Sequence, residues 1–381
     1  MRRLFPLVAA VVLVDTMFFA AVAPLLPHYS DELGLSKSAA GVLAAAYPAG
    51  TLVGSLPSGW LAARVGVKPT VLLGLGLLAA TSVVFAFANN VVLLDAARFA
   101  QGLGGACSWA GGLAWLVSVS SPDKRGTVIG SALGAAIVGV LLGPALGGLA
   151  TLLSPEVVFS GVAVLAVGLA GWAWTMPGTP PERSAGIPAA VRALGRPSVL
   201  AAFWLFTLPA VFGGVIEVLG PLRLDELGAS GAAIGVIFLL IAGIEAVLSP
   251  FSGRLSDRHG RLAPIRVGLA GAVVMAVLLP LPESVVVLAF VLAASVAALG
   301  AFWAPAMALL SDASESVGLD QALAFGLSNL AWAAGHMTGS AGGAVLADAT
   351  TDAVPYALLG VACAITLAGV MRSRMREPAG A

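Results

Sequence analysis

Twelve apolar segments, each about as long as a helix that crosses a bilayer, follow one another along this chain of 381 residues. A transmembrane helix needs about 20 predominantly apolar residues. Backbone that faces lipid must form its hydrogen bonds within its own segment, so the sequence predicts an all-α membrane protein with twelve transmembrane helices. The segments are 5–28, 39–63, 69–88, 91–118, 127–150, 156–176, 198–221, 231–252, 262–281, 284–310, 321–347 and 353–371.

The composition excludes an ordinary soluble domain. Charged residues make up 10% and hydrophobic residues 59% of the chain, whereas soluble domains carry about 25% charged residues. The net charge of zero argues against a nucleic-acid partner. Cys107 and Cys363 both lie in apolar spans and do not indicate a disulfide framework. The first span is expected to be retained, because Pro24 follows the signal-like "AVA" at 21–23.

Basic residues orient the predicted spans. All but three of the 19 Lys and Arg residues fall on the side that holds both termini. Lys37 and Arg223 fall on the opposite side, and Arg98 falls in the fourth span. This positive-inside bias predicts cytoplasmic termini in a multi-pass protein of the cell membrane.

The two halves of the chain share sequence at a constant offset of 194. "DELG" at 31–34 recurs at 225–228, and "SGWLAARVG" at 58–66 recurs as "SGRLSDRHG" at 252–260. An ordered series of matches indicates duplication. The predicted units are a six-helix half at 1–176, a proline-rich cytoplasmic linker at 177–197 and a second half at 198–381. Parallel repeats of this kind suit a transporter whose site lies between the halves at mid-membrane.

The repeated loop after the second span resembles the major facilitator superfamily motif Gly-x-Leu-Ala-Asp-Arg-x-Gly-Arg-Lys. Ala63 replaces its aspartate in the first half, and the second half keeps a fuller version. The resemblance implies a lock on the cytoplasmic side in which an acid and an arginine pair; the alternative is a solvated basic loop that only sets topology. The corresponding residues are Gly59, Arg64 and Gly66 in the first half, and Asp257, Arg258 and Arg261 in the second.

Two further spans extend the resemblance. Span four carries "RFAQGLGGA", and in the family its arginine, here Arg98, is linked to proton transfer; a pair with Asp95 that stabilises the helix end is the alternative. Span five matches the pattern Gly-x-x-x-Gly-Pro-x-x-Gly-Gly of the family's antiporters. Its residues are Gly139, Gly143, Pro144, Gly147 and Gly148.

Spans one and seven are similar to those of the family's drug/proton antiporters, a group that includes tetracycline exporters and vesicular amine transporters. "VDTMFFAAVAPLLPHY" at 14–29 and "GGVIEVLGPL" at 213–222 carry this likeness. Asp312 matches an acid of the amine group in span ten, but Asn329 stands where a second acid is found in span eleven. The resemblance therefore implies a drug antiporter without fixing an amine substrate.

Asp15, Glu217 and Glu245 are the acids deepest in apolar spans. A charged Asp at the centre of a membrane helix costs about 2.5–3.5 kcal/mol on insertion scales, so such acids point to proton or substrate binding. Structural alternatives remain for each: Asp15 bonding its own helix, Glu217 lying near the outer interface, and Glu245 packing. His336 is expected to be a packed, hydrogen-bonded histidine, and a proton carrier is the alternative. Apolar and aromatic residues must form the cavity walls, and the candidates are Phe18, Phe19, Trp109, Phe212, Phe302, Trp303, Asn329 and Trp332.

The sequence thus predicts a monomeric secondary transporter that exports small lipophilic or cationic compounds by alternating access, with the proton gradient as driver and no cofactor. No nucleotide-binding loop of the form Gly-x-x-x-x-Gly-Lys-[Ser/Thr] is present in the sequence. A proton-coupled importer of a small metabolite shares every feature except the span-five pattern. An integral-membrane enzyme is disfavoured because the three histidines, His28, His259 and His336, are scattered; a sensor built on the same fold remains a remote alternative.

Overall fold

A computed structural model describes residues 3–120, 125–179, 186–319 and 321–374, and its secondary structure there is helical. A 3-10 turn at Ala23–Leu25 follows α1, and a π-helical turn at Thr338–Gly342 follows α13. The helices are α1 (Leu4–Ala20), α2 (Leu26–Leu33), α3 (Lys37–Val65), α4 (Val67–Phe87), α5 (Val91–Ser118), α6 (Arg125–Leu152), α7 (Pro155–Thr175), α8 (Ile187–Leu194), α9 (Pro197–Glu226), α10 (Gly231–His259), α11 (Leu262–Leu278), α12 (Val285–Ser316), α13 (Gln321–Met337), α14 (Gly343–Ala349) and α15 (Ala353–Arg374).

Helices occupy all twelve predicted spans, so the predicted twelve-helix architecture is confirmed. Within the described ranges, nine helical segments are long and apolar enough to cross a membrane by length and composition alone. The other three predicted spans correspond to α5, α11 and the α13–α14 pair. Buried polar residues dilute the apolar character of α5, and the first span bends at Pro24, which cannot donate a helical hydrogen bond.

The helices form two bundles, α1–α7 and α9–α15, and the helix α8 lies in the connection between them. Large apolar side chains cover the outside: Val164 on α7 is 73% exposed and Ile365 on α15 is 68% exposed. Exposed apolar surface on this scale is stable in lipid and not in water.

Helix ends define two faces of the bundle. The termini face carries the start of α1 and the end of α15. The distal face carries the α2–α3 connection at 34–36 and the α14–α15 connection at 350–352. The bundles contact each other mainly through α3 with α13 and α14, and through α6 with α10.

The duplication is visible in the backbone structure as well as in the amino-acid sequence. Helices α3 and α10 begin and end at the same offset of 194, and each starts from a serine, Ser36 or Ser230, whose hydroxyl accepts a hydrogen bond from the backbone three residues on. The paired glycines that precede these starts, Gly34 and Gly228, both have positive φ, as left-handed helix caps require. Duplicated capping signals therefore set the helix boundaries in both halves.

The glycine pattern of α6 packs this helix directly on α1. A Cβ on Gly139 would collide with Thr16, and a Cβ on Gly143 would lie 2.8 Å from the backbone oxygen of Met17. The same helix also contacts the second bundle, because a Cβ on Gly235 of α10 would lie 2.9 Å from the backbone of both Pro144 and Gly148. The pattern is thus a backbone-to-backbone contact surface.

We expect Gly143→Ala to destabilise the protein by about 1–3 kcal/mol, because the added methyl group overpacks the α1–α6 contact. Gly134→Ala is the matched control: it adds the same methyl group to the same helix, where nothing lies within 4 Å of the new Cβ. Thermal unfolding in detergent micelles would measure the difference. Equal melting temperatures for the two variants would contradict the packing role.

Candidate functional site

The first half contributes a buried carboxylate held by a phenol. Asp15 of α1 is 1% exposed, and Tyr47 of α3 donates a hydrogen bond of 2.8 Å to its Oδ2. Gly105 of α5 makes room for the pair, because a Cβ there would lie 2.6 Å from the Tyr47 hydroxyl and 3.0 Å from both carboxylate oxygens. Trp109 also approaches the carboxylate. Three helices therefore converge on Asp15.

Arg98 of α5 lies fully buried beside this pair. Its guanidinium donates to Gln101 at 2.7 Å and to the backbone oxygen of Phe19 at 3.4 Å, and it lies 5.1 Å from the Tyr47 ring and 5.7 Å from the Phe19 ring. Asp95 does not act as its hydrogen-bond partner, in contrast to one sequence-based alternative. The arginine instead donates hydrogen bonds to a side-chain amide and a backbone carbonyl, and it forms cation–π contacts with two aromatic rings.

The second half contributes Glu217 of α9 and His336 of α13, which contact each other through Oε2 and Nε2. Both side chains are buried, at 9% and 8% exposure. Glu217 therefore lies inside the bundle and not at an interface. Sequence features indicate the buried acid and a hydrogen-bonded His336, but not that the two residues are partners.

An aromatic cluster joins the two halves between these charged groups. Phe19 of α1 meets Trp332 of α13 at a ring distance of 5.4 Å and His336 at 5.6 Å. Trp332 stacks on His336 at 5.3 Å, and Tyr47 lies 6.4 Å from Trp332. We call Phe19, Tyr47, Trp332 and His336 the aromatic junction. Arg98 is close enough to interact electrostatically with both Glu217 and Asp15, so charges from both halves meet around this junction.

Several other predicted cavity residues lie elsewhere. Phe18 is buried within the first half, with its ring 5.6 Å from Phe85 and 4.9 Å from Phe159. Trp303 packs within the second half, 5.1 Å from Phe206. Neither ring belongs to the aromatic junction, and their assignment to the cavity wall stays a prediction.

The positions of three more candidates, Phe212, Phe302 and Asn329, do not indicate whether they line a cavity. Phe212 and Phe302 are fully buried, and Phe302 lies against the helix contact at Gly268. Asn329 is half-buried on α13, one turn before Trp332. Of the predicted wall residues, the structure therefore brings Phe19, Trp109 and Trp332 to the charged groups.

Glu245 is not brought into this group of charges. It lies on α10 with its Cγ 3.8 Å from the Cβ position of Gly300 on α12, inside the second half. Among the described residues it has no hydrogen-bond or ion-pair partner. Its predicted role in binding stays a prediction.

The repeated loops at the termini face contain charge and ring contacts. In the first half, Gly59 is exposed, Arg64 lies 5.1 Å from the Trp60 ring, and Gly66 has a φ of 110°. Lys68 donates to the last carbonyls of α7, at Trp174 and Met176. The first loop is thus tied to its own half.

In the second half, Arg261 binds Asp312 at 3.3 Å and Ser256 at 3.4 Å, and Arg258 is exposed. The side chain of Asp257 lies outside the described part of the chain. Asp312, whose position resembled an acid of amine carriers, is therefore an ion-pair partner at the termini face and not part of the central site.

A second group of charges joins the halves at the distal face. Lys37 of α3 forms ion pairs with Asp352 at 2.8 Å and with Glu226 of α9 at 3.2 Å. The hydroxyl of Ser38 donates to Asp348 at 2.5 Å, and this bond lowers the pKa of that carboxyl. We call this group the distal latch; a cavity of about 530 Å³ lies beside it. Its one signal in the sequence is the rarity of basic residues on that side.

Two six-helix halves that meet around buried charges define a polytopic membrane transporter. The chain belongs to the Major Facilitator Superfamily, whose family model matches residues 8–223 and 211–381. Solved structures agree with this fold. A D-xylose–proton symporter gives a TM-score of 0.75 at 17% identity, with 96% of both chains covered. A bacterial homologue of the human lysosomal transporter Spinster gives 0.77 at 14% identity, covering 96% of this chain and 94% of that one.

Similar curated proteins match over shorter regions. An uncharacterised MFS-type transporter of Schizosaccharomyces pombe is 31% identical over 158 residues, which is 39% of this chain and 35% of that protein. The synaptic vesicular amine transporter of Homo sapiens is 38% identical over 90 residues, or 23% of this chain and 18% of that protein. The chain thus matches about a third or less of each relative's length.

We expect Tyr47→Phe to destabilise the protein by about 1–3 kcal/mol, because Asp15 loses its buried hydrogen-bond donor. Tyr29→Phe is the matched control, since the Tyr29 hydroxyl is buried without a hydrogen-bond partner. Thermal unfolding of both variants in detergent would show a lower melting temperature for Tyr47→Phe alone. A larger loss for Tyr29→Phe would remove the case for a supporting role of Tyr47.

Lys37→Met is expected to shift the protein toward a form that is open at the distal face. Partly exposed ion pairs contribute up to about 1 kcal/mol, or roughly fivefold in population. Spin labels at Asn89 and Glu283 would report the separation of the halves by double electron–electron resonance. Arg223→Met is the control, because Arg223 pairs with the same Glu226 inside the second half. An unchanged distance distribution in Lys37→Met would exclude the latch.

Proposed function

We propose that this transporter exports small lipophilic or cationic compounds in exchange for protons, by exposing one central site to each face in turn. The observation that carries the proposal is the meeting of ionisable groups from both halves at the aromatic junction. Asp15 and Arg98 come from the first half, and Glu217 and His336 from the second. A site built from both halves changes its access when the halves rock against each other.

The chemistry of the site supports an organic cation as substrate. Phe19, Tyr47 and Trp332 supply aromatic faces, which attract cations through the ring quadrupole. Asp15 and Glu217 supply negative charge at a depth where an unpaired charge is costly. A proton bound at the site and a cationic compound can each balance this negative charge, and that competition is the basis of exchange.

Two further observations favour antiport. The glycine pattern of α6 matches that of the family's antiporters, and it forms the α1–α6 contact next to Asp15 together with the α6–α10 contact between the halves. The partial match to the human synaptic vesicular amine transporter is compatible with an amine-like cation. Only local likeness supports this substrate class, because the match covers 23% of the chain.

Proton-coupled import of a small metabolite is the second candidate. The likeness to a D-xylose–proton symporter over 96% of the chain fits import as well as export, since the fold is shared. The two candidates differ in the direction in which a pH gradient moves the substrate.

The proposal includes an orientation and a driver. The distribution of basic residues supports a cytoplasmic termini face and a distal face on the outer side of the cell membrane. The proton gradient supplies the energy without a cofactor, and the monomer is the working unit. We do not propose an enzymatic activity.

Transport of ethidium, a fluorescent lipophilic cation, into proteoliposomes tests the direction. With the membrane potential clamped, an acidic lumen is expected to drive ethidium inward through an antiporter. One proton exchanged for one monovalent cation allows about tenfold accumulation per pH unit, since a tenfold ratio corresponds to about 1.4 kcal/mol. Accumulation driven by an acidic bath would instead indicate symport.

The double variant Asp15→Asn with Glu217→Gln is expected to lose gradient-driven uptake. Asp225→Asn is the matched control, because it neutralises another acid of α9 near the distal face. Gradient-driven uptake that survives in the double variant would refute the assignment of these acids. Uptake that never depends on the gradient would refute proton coupling itself.

A further inference from the structure

His336 lies at the centre of the site with one ring nitrogen bound and one without a hydrogen-bond partner. Its Nε2 contacts Glu217 Oε2, whereas its Nδ1 is buried and has no hydrogen-bond partner. The ring is held on both sides, by stacking on Trp332 and by the edge of Phe19. A neutral imidazole that donates from Nε2 to the carboxylate presents a bare lone pair at Nδ1.

Close backbone contact fixes the distance between the helices that carry this pair. A Cβ on Gly214 of α9 would lie 2.5 Å from the backbone oxygen of His336, and a Cβ on Gly339 would collide with Val211. The hydroxyl of Ser340, in the π-helical turn after α13, donates to the Gly214 carbonyl at 3.3 Å. π-helical turns are frequent at functional sites, and this one begins two residues after His336.

Glu217 of α9 is the ionisable group in direct contact with His336. The other charged groups of the site lie around it: Tyr47 of α3 binds Asp15 of α1, and Arg98 of α5 interacts electrostatically with Glu217 and with Asp15. The charged side chains that α12 contributes, Asp312 and Glu315, lie near the termini face, one of them bound to Arg261.

These groups leave the site with one negative charge in excess when the histidine is neutral. This count takes Asp15 and Glu217 as carboxylates, Arg98 as a cation and Tyr47 as a neutral phenol. One proton on His336, or one monovalent cation at the aromatic junction, balances the excess. Both together would leave an uncompensated positive charge in hydrocarbon, which is costly.

We propose that Nδ1 of His336 accepts the exchanged proton while Glu217 holds the ring through Nε2, so that the protonated histidine and a cationic substrate exclude each other. This inference rests on the proposed proton exchange and adds the atom that carries the proton. The proton arrives from water at Nδ1, and the same proton leaves when substrate binds. A protonated Nδ1 becomes a donor without an acceptor, so it is stable only while water reaches the site.

The test compares His336→Gln with His28→Gln in the ethidium assay. Glutamine keeps a hydrogen-bond donor for Glu217 but cannot titrate. His28 also contacts a glutamate, Glu32 at 3.2 Å, but at the protein surface, so its replacement is the matched control. In His336→Gln, gradient-driven uptake is expected to fall at least about tenfold and to lose its dependence on pH.

Gradient-free exchange of internal for external ethidium separates a coupling role from a structural one. In the unmodified protein the protonated ring excludes the cation, so we expect this exchange to slow in acid, and we expect His336→Gln to remove that dependence on pH. Loss of both activities in a folded variant, or an unchanged pH profile, would overturn the inference. Absence of gradient-driven uptake in the unmodified protein would instead overturn the proposed function.

Histidine NMR gives a second measurement that does not require a change at His336. The double variant His28→Gln with His259→Gln leaves His336 as the only histidine of the chain. Its ¹⁵N spectrum in nanodiscs is expected to titrate, and saturating ethidium is expected to return the ring to the neutral form at a pH where it was protonated. A ring signal that ignores ethidium would contradict mutual exclusion.

Discussion

Hydrocarbon offers no hydrogen-bond partner, so polar groups inside this bundle depend on partners that the protein supplies. For the backbone, this constraint leaves helices as the spanning elements. For side chains, it decides where charges can lie. Arg98 is fully buried and is met by Gln101, by the Phe19 carbonyl and by two rings, while Asp15 is met by Tyr47. The site is therefore a set of interacting groups, each of which lowers the free-energy cost of burying another.

The same constraint explains why glycine governs the contacts between helices. Apolar side chains gain little by leaving lipid for a neighbouring helix, so tight van der Waals packing must hold helices together. The contacts of α6 with α1 and α10, and of α9 with α13, bring backbone against backbone at Gly143, Gly235 and Gly214. The α6–α10 contact at Gly235 joins the two halves, whereas the α1–α6 contact lies within the first half. Helix α6 therefore takes part both in packing within a half and in contact between the halves.

Much of the fold could be predicted from the sequence because hydropathy and capping are local properties. The spans, the duplication and the glycine pattern each depend on residues within one segment or on a fixed offset. The pairing of Glu217 with His336 could not be predicted, since it joins positions 119 residues apart and depends on the rotation of two helices. Rotation also explains Phe18 and Phe19, neighbours in sequence of which one packs in the core of its half and the other reaches the aromatic junction.

The sequence duplication does not extend to the charged residues of the site. At the offset of 194, Asp15 corresponds to Pro209 and Arg98 to Leu292, while Glu217 and His336 correspond to Ala23 and Leu142. Helix caps kept their chemistry in both copies, but none of these charges has a charged counterpart. Two halves of equivalent architecture thus enclose an asymmetric site, to which each half contributes different ionisable groups. Evolution could alter cargo or coupling on one half while the other half and the shared scaffold stayed as they were, which makes the centre of the molecule the part most open to functional divergence.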